Sequence, residues 1–157
     1  MQVPLLDLKG QYAPLRAEIE QVMAQVCNEQ RFVLGPNVTE LEAGIAAYSH
    51  ARHGLGVSSG TDALLVALMA LGIGPGDEVI TVAAGFPTTV NPIFQNALVP
   101  VFVDVDLPSY GINLAQLEAA RTDRTRAIVV AHALGNPYDV EAVAAFAKRH
   151  DLFLVED

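Results

Sequence analysis

Apolar residues recur along the first third of this chain at the spacing of a helix, about every 3.6 residues. One such stripe consists of Leu15, Ile19, Val22, Met23 and Val26. Gly35 and Pro36 interrupt the pattern, and Thr39 followed by Glu42 predicts a capping box that starts a second helix. We therefore predict a helical arm over residues 1–53 that precedes the main domain.

From residue 54 onward, short apolar runs typical of buried strands alternate with helical patterns. The predicted strands are Leu55–Ser58, Glu78–Val82, Val99–Asp104, Ala127–Ala131 and Leu152–Glu156. The predicted helices are Asp62–Leu71, Thr89–Gln95, Leu114–Arg121 and Asp139–His150. This alternation indicates an α/β fold, with a largely parallel sheet and helices on both faces, over residues 54–157. Because no helix follows the last strand, we expect an incomplete α/β domain that leads a longer protein.

Residues able to do chemistry follow each of the predicted strands. In order along the chain they are Ser58–Thr61, Gly85–Thr89, Asp104 with Asp106, His132, and Glu156 with Asp157. Parallel strands bring their carboxyl ends to one edge of a sheet, where ligands bind, so we expect one site there. Asp104 and Asp106 are interpreted as turn residues, and Glu156 as a structural residue facing away from Asp157. His132 is either a histidine of the core or a residue that lines the site.

The segment Ser58–Asp62 joins an apolar strand pattern to an apolar helix pattern. The first amides of a helix lack partners within the helix and lie at the positive end of its dipole, so they bind anions. Gly60 lets a ligand approach the backbone closely, and Ser59 and Thr61 offer hydroxyl groups. The expected ligand is a phosphate. Ser59 with Asp62 is also the pattern of a capping box, which needs no ligand, and both interpretations stay open.

Composition narrows the classes of partner. The chain has 157 residues, of which 52% are hydrophobic, enough for one well-buried domain. Its formal net charge of −9 and the lack of a basic run disfavour nucleic acid and membrane surfaces as partners. The longest apolar run is too short to span a bilayer, and no signal-peptide pattern is present. With Cys27 as its single cysteine and no Cys/His cluster, we expect a cytoplasmic protein without a metal site.

Several segments stand in the order and at the spacing of one known family. They are LDLKGQYAPL at Leu6–Leu15, RFVLGPNVTELE at Arg31–Glu42, SGTDAL at Ser59–Leu64, GPGDEVIT at Gly74–Thr81, PVFVD at Pro100–Asp104 and VED at Val155–Asp157. The chain resembles the sugar aminotransferases of the DegT/DnrJ/EryC1/StrS family, which use pyridoxal phosphate and have the aspartate aminotransferase type of fold. The resemblance implies part of the large domain of a type I pyridoxal-phosphate-dependent transferase.

The resemblance also implies roles for particular residues. Gly60 and Thr61, with Ser59 beside them, would hold the phosphate of pyridoxal 5′-phosphate or pyridoxamine 5′-phosphate. Phe86 would stack on the pyridine ring. Asp157 would pair with the pyridine nitrogen and keep it protonated, which makes the ring a better electron sink.

The activity implied by the resemblance is transfer of an amino group from an amino acid to a 3-keto or 4-keto sugar linked to a nucleotide, in surface polysaccharide or deoxysugar biosynthesis. His132 is a further candidate for contact with the cofactor, and the complete protein would be a homodimer. The family forms its Schiff base with a lysine that lies beyond Asp157. Since the lysines present, Lys9 and Lys148, fall in the arm and in a helix end, we expect no catalytic residue of that kind here and an inactive chain on its own.

Two segments resemble one branch of the family instead. These are AAGFPTTVNP at Ala83–Pro92 and HALGNPYD at His132–Asp139, which are similar to the CDP-linked 4-keto-6-deoxyhexose 3-dehydrases that use pyridoxamine phosphate. Sugar 3-dehydration therefore stays open beside transamination.

Two other classes of function stay open as well. One is a Rossmann-type nucleotide-binding module, although the spacing of Gly54, Gly56 and Gly60 is one residue too long. The other is a non-catalytic fragment or assembly partner.

Overall fold

The structure, a computed structural model, describes residues 3–157. Met1 and Gln2, the first two residues of the predicted arm, lie outside the described residues. The chain forms two compact units, which divide between Gly56 and Val57. The division therefore falls just before the segment Ser58–Asp62.

The first unit is helical. Its helices are α1 (Leu8–Tyr12), α2 (Arg16–Glu29) and α3 (Pro36–Tyr48). Asp7 caps α1, since its Oδ1 accepts a hydrogen bond from the Gly10 N–H at 2.9 Å. Helix α3 begins with Pro36 directly after Gly35, because proline has helical φ and needs no N–H partner in a first turn. Thr39 consequently lies inside α3, and the capping box predicted at Thr39 is wrong.

The second unit alternates helices and strands. Its elements are α4 (Gly60–Ala70), β1 (Glu78–Val82), α5 (Pro87–Gln95), β2 (Val99–Val103), α6 (Leu114–Ala120), β3 (Thr125–Val130), a 3-10 turn (Ala133–Gly135), α7 (Val140–Arg149) and β4 (Phe153–Glu156). The strands form one parallel sheet in the order β2-β1-β3-β4. In its register, Ile80 of β1 lies between Val101 of β2 and Ile128 of β3. The last four predicted strands and the four predicted helices are confirmed, with ends moved by at most two residues.

The first predicted strand, Leu55–Ser58, is wrong. The segment takes part in no strand pairing within the described residues. The N–H of Gly56 donates to Glu42 Oε1 at 2.7 Å instead, and Leu55 is 75% exposed. A strand exists only through hydrogen bonds to a neighbouring strand. The apolar alternation could not show whether a neighbouring strand is present.

Helices cover both faces of the sheet, as predicted. On one face, α6 and α7 pack over Ile80 and Ile128. On the other face, α4 and α5 pack over Val79 and Val129. Successive strand residues therefore enter opposite halves of the core, as the pleat of a strand requires. We refer to these as the α6/α7 face and the α4/α5 face.

The helices of the α4/α5 face both begin at the carboxyl edge of the sheet. Helix α4 ends in the turn at residues 71–77 that leads into β1, so α4 runs from the carboxyl edge to the amino edge. Helix α5 begins at Pro87, after β1 ends, and returns to the start of β2. The two helices pack side by side, and Asn96 Nδ2 donates to the Leu65 carbonyl at 3.3 Å. Their N-termini thus lie at the edge where ligands of parallel sheets bind.

The amino edge holds a buried carboxylate. Glu78 is 3% exposed. It accepts hydrogen bonds from Thr122 Oγ1 at 2.5 Å and Thr125 Oγ1 at 3.3 Å, and it pairs with Arg124 Nη2 at 2.6 Å. The Thr122 hydrogen bond, with help from the Arg124 guanidinium, lowers the pKa of Glu78 below 4.5 despite the opposing effect of burial. This network joins β1 to the loop before β3.

Candidate functional site

A cavity of about 640 Å³ opens at the carboxyl edge of the sheet. Its walls come from the loop after β1, the first turn of α5, the residues after β3 and the end of β4. They are lined by Ala84, Gly85, Phe86, Thr89, Ala131, His132, Ala133, Leu134 and Asp157. Phe86, His132 and Asp157, which the sequence places at three different strand ends, therefore meet around one cavity.

A buried hydroxyl group holds the Asp157 carboxylate. Thr89 Oγ1 donates to Asp157 Oδ2 at 2.5 Å, and Thr89 is only 2% exposed. The backbone of Asp157 is held as well, because its N–H donates to the Val130 carbonyl at 2.7 Å and its carbonyl accepts from the His132 N–H at 3.0 Å. A carboxylate fixed in this way can pair with a cationic N–H group of a ligand in the cavity.

Thr89 ends the segment Gly85–Thr89 that the sequence places at this edge, but the sequence assigned no role to it. It lies in the first turn of α5, and its partner Asp157 is 68 positions away along the chain. The available signal was a hydroxyl residue in the first helical turn after a strand end, at the edge where a site was expected. That signal is too common in sequences to select Thr89 by itself.

The imidazole of His132 has its contacts on the α6/α7 face. Its Nε2 lies 3.0 Å from Glu156 Oε2. Its ring stacks on Tyr138 with ring centroids 4.8 Å apart, and Tyr138 belongs to the core of that face. Burial, followed by the nearby Glu156 carboxylate, raises the pKa of Tyr138. His132 thus borders the cavity while its ring is tied to the other side of the sheet.

The capping interaction predicted at the start of α4 is present. Ser59 Oγ accepts a hydrogen bond from the Asp62 N–H at 3.1 Å. The hydroxyls of Ser58 and Ser59 donate to Asp62 Oδ2 at 2.6 and 2.9 Å. These two hydrogen bonds, that of Ser58 first, lower the pKa of Asp62. The cap therefore keeps a negative charge in the first turn of α4, where the helix dipole favours it.

The same helix start is where the sequence predicts a phosphate. The N–H groups of Gly60 and Thr61 have no partner within an α-helix, because they are among its first residues. A Cβ added to Gly60 would meet no atom within 4 Å, so the backbone there is open to a ligand. Ser59, Gly60 and Thr61 do not line the cavity. They begin the helix that packs beside α5, at the same edge of the sheet.

Other predicted residues lie elsewhere. Lys148 is in the last turn of α7, which runs from the carboxyl edge back toward the start of β4, so it lies near the amino edge. Lys9 belongs to α1 of the first unit. Asp104 and Asp106 shape the loop after β2, since Asp104 Oδ1 accepts from the Val105 N–H and Asp106 Oδ2 from the Ser109 hydroxyl, both at 2.8 Å. The turn roles predicted for both aspartates are confirmed.

Within residues 3–157, no group of three or more His, Cys, Asp and Glu side chains is arranged to hold a metal ion. None of the described helices combines the length and the hydropathy needed to cross a membrane.

Comparison with known sequences gives a consistent family. A model of the DegT/DnrJ/EryC1/StrS aminotransferase family matches residues 14–157. A pleiotropic regulatory protein of Geobacillus stearothermophilus is 50% identical over 157 residues, which are 100% of this chain and 42% of that protein. A UDP-N-acetyl-3-dehydro-α-D-glucosamine 3-aminotransferase of Acidithiobacillus ferrooxidans is 43% identical over 155 residues, 99% of this chain and 42% of that protein. The chain spans less than half the length of these relatives.

Solved structures give the same result. DesV of S. venezuelae superposes with a TM-score of 0.95 at 41% identity, over 99% of this chain and 42% of that chain. A GDP-4-keto-6-deoxy-D-mannose-3-dehydratase of Escherichia coli superposes with a TM-score of 0.81 at 30% identity, over 88% of this chain and 37% of that chain. The dehydratase structure contains bound hydrated pyridoxal phosphate.

Proposed function

The chain belongs to the DegT/DnrJ/EryC1/StrS aminotransferase family, and from this we propose that it is the cofactor-binding part of an enzyme that transfers an amino group from an amino acid to a nucleotide-linked keto sugar. The observation that carries the proposal is the cavity in which Asp157, held by Thr89, lies beside Phe86. The name of the Acidithiobacillus relative supports this class of reaction and of substrate. The activity itself belongs to the complete protein.

The residues present fit pyridoxal phosphate or pyridoxamine phosphate. The start of α4 offers the N–H groups of Gly60 and Thr61 and the hydroxyl of Thr61 to a phosphate, whereas the hydroxyl of Ser59 beside them donates to Asp62. Phe86, 73% exposed, offers an apolar face to the pyridine ring. Asp157 accepts a hydrogen bond from a protonated ring nitrogen. When bound, the cofactor supplies an electron sink, while these residues hold its phosphate, orient its ring and keep a proton on its nitrogen.

The proposal extends to the catalytic group, the location and the assembly. Neither Lys9 nor Lys148 lines the cavity, so we propose that the chain alone does not carry out the transfer. The net charge of −9 and the single cysteine support a cytoplasmic enzyme.

The proposed homodimer of the complete protein rests on the family resemblance. Sedimentation of the complete protein tests it, and a monomer at micromolar concentration contradicts it.

Removal of water from C3 of a keto sugar is the second candidate function. The cavity walls come from the two segments that resemble the dehydrase branch, since Phe86 and Thr89 lie in Ala83–Pro92 and His132 opens His132–Asp139. An incubation of the complete protein with a ¹⁵N-labelled amino acid and a dTDP- or UDP-linked keto sugar separates the two reactions. Transamination puts the label into the sugar, whereas dehydration removes the C3 hydroxyl as water and leaves the sugar without label.

Titration with pyridoxamine phosphate tests the proposed cofactor site. This molecule needs no lysine to bind, and its fluorescence reports binding to the chain directly. We expect saturable binding that Thr61→Val weakens about 10- to 150-fold, the value of one charge-assisted hydrogen bond of roughly 1.5–3 kcal/mol. Thr39→Val, an exposed threonine of α3, is the matched control and should bind like the wild type. Equal affinities for all three proteins contradict the phosphate placement, and no binding at all contradicts the proposed function.

A further inference from the structure

Three side chains form a cluster on the α6/α7 face at the end of β4. We call it the His132 cluster, and it consists of His132, Glu156 and Tyr138. The imidazole Nε2 lies 3.0 Å from Glu156 Oε2, and the ring stacks on Tyr138 at an interplanar angle of 12°. Tyr138 is 5% exposed and packs directly on the backbone of Gly111, where an added Cβ would overlap the Tyr138 side chain. One flank of the imidazole thus rests on a buried aromatic ring.

The imidazole has one polar anchor within the described residues. Its Nδ1 is buried and has no hydrogen-bond partner there. The hydrogen bond to Glu156 and the stack on Tyr138 are therefore what orient the ring. Loss of the Glu156 carboxylate would leave only the stack.

The His132 cluster and the Asp157 carboxylate lie on opposite faces of the same strand end. Leu154 of β4 packs on the α6/α7 face and Val155 on the α4/α5 face, so the alternation places Glu156 and Asp157 on the same two faces in turn. The backbone joins the two sides, because the His132 N–H donates to the Asp157 carbonyl at 3.0 Å. The Asp157 strand end is thus fixed through His132 on one face and through Thr89 on the other.

We propose that His132 is a positioning residue, which holds the end of β4 through Glu156 and thereby keeps the Asp157 carboxylate in register with the ring nitrogen of pyridoxamine phosphate. This inference rests on the proposed function. Strand β4 has four residues, and the ends of short strands open easily. A cross-strand side-chain pair at that end opposes the opening. Precise placement matters because a charge-assisted hydrogen bond weakens steeply when it is misaligned.

The first test measures the strand end without ligand. His132→Phe keeps an aromatic ring on Tyr138 and removes the nitrogen, and Glu156→Gln removes the charge of the partner. Hydrogen exchange by NMR should be about tenfold faster at the Asp157 amide in both variants, and unchanged at Ile80 in the core. Unchanged exchange at Asp157, or equal acceleration at Ile80, overturns the proposal.

The matched control for this test is a second His–carboxylate pair of the same chain. Glu118 Oε2 lies 3.2 Å from His150 Nε2, near the other edge of the sheet. Glu118→Gln removes the same type of charge from a histidine contact, although Glu118 also faces Arg121 and Arg149. It should leave exchange at the Asp157 amide at the wild-type rate. Faster exchange in this control would show that the effect is not specific to the His132 cluster.

The second test compares pyridoxamine phosphate with its 1-deaza analogue, which lacks the ring nitrogen. His132→Phe should weaken binding of pyridoxamine phosphate about tenfold and leave binding of the analogue unchanged, because only the former uses Asp157. Equal weakening of the binding of both ligands, or of neither, overturns the positioning role.

Failure of the wild-type chain to bind pyridoxamine phosphate contradicts the proposed function, and the positioning role fails with it. If His132→Phe does not fold, Glu156→Gln, whose side chain is 43% exposed, serves in its place with the same expected results.

Discussion

Replacement of Glu78 by Gln should destabilise the second unit in a way that depends on pH. Gln keeps the shape of the side chain and removes its charge. Hydrogen bonds to a charged group contribute roughly 1.5–3 kcal/mol and neutral ones roughly 0.5–1.5 kcal/mol. The Arg124 side chain is 69% exposed, so its bond contributes little, and the hydroxyls of Thr122 and Thr125 carry the effect. We therefore expect a loss of about 2 kcal/mol in the free energy of unfolding near neutral pH.

The pH dependence follows from the direction of the pKa shift. Because the pKa of Glu78 in the folded chain is lower than 4.5, the stabilisation from its charge is complete above that pH. It disappears as the pH falls through the folded pKa, where the wild-type carboxyl becomes neutral like Gln. The difference between wild type and Glu78→Gln should therefore shrink toward zero in acid.

Urea denaturation near neutral pH and at about pH 3 measures this difference directly. Glu118→Gln, at an exposed carboxylate, is the control and should change stability by less than about 0.5 kcal/mol at either pH. A loss below about 0.5 kcal/mol for Glu78→Gln near neutral pH would contradict the stabilising role of its charge. So would an equal loss at both pH values, because it would show that the charge of Glu78 is not what matters.

Three further substitutions test other contacts. Thr89→Val is isosteric and removes the hydrogen bond to Asp157. Affinity for pyridoxamine phosphate should therefore fall about fivefold in a fluorescence titration, and an unchanged affinity counts against the contact. Gly111→Ala should lower the free energy of unfolding by about 1–3 kcal/mol because the new Cβ overlaps Tyr138, and an unchanged urea midpoint argues against that packing. Asp139→Ala removes the cap of α7, in which Asp139 Oδ1 accepts a hydrogen bond from the Ala142 N–H at 3.0 Å. It should lower the free energy of unfolding by about 1 kcal/mol, and Asp139→Asn should restore most of that loss.

The short apolar runs predicted the parallel sheet, and the clearest of them, β1, is buried along its whole length. Strand β1, Glu78–Val82, was predicted with its exact ends for this reason. The same pattern failed at Leu55–Ser58, because an extended segment becomes a strand only beside a partner that its own sequence does not specify. At Thr39 the local rule for a capping box lost to Pro36, which starts α3 earlier.

The candidate site was predictable where topology alone brings residues together. Phe86, His132 and Asp157 follow parallel strands, so their meeting at one edge follows from the fold. Contacts through packed side chains were not predictable. The hydrogen bond from Thr89 to Asp157 and the stack of His132 on Tyr138 depend on how α5 and the loop before α7 pack on the sheet, and no local spacing encodes that packing.

The proposed function requires that the start of α4 and the cavity at the end of β4 hold the two ends of one cofactor molecule. Titration of the ¹⁵N-labelled chain with pyridoxamine phosphate, followed by two-dimensional NMR, tests it most directly. We expect the amide signals of four residues to shift together and to saturate with one dissociation constant: Gly60, Thr61, Phe86 and Asp157. Shifts at Gly60 and Thr61 without any at Phe86 and Asp157, or separate dissociation constants for the two groups, would contradict it.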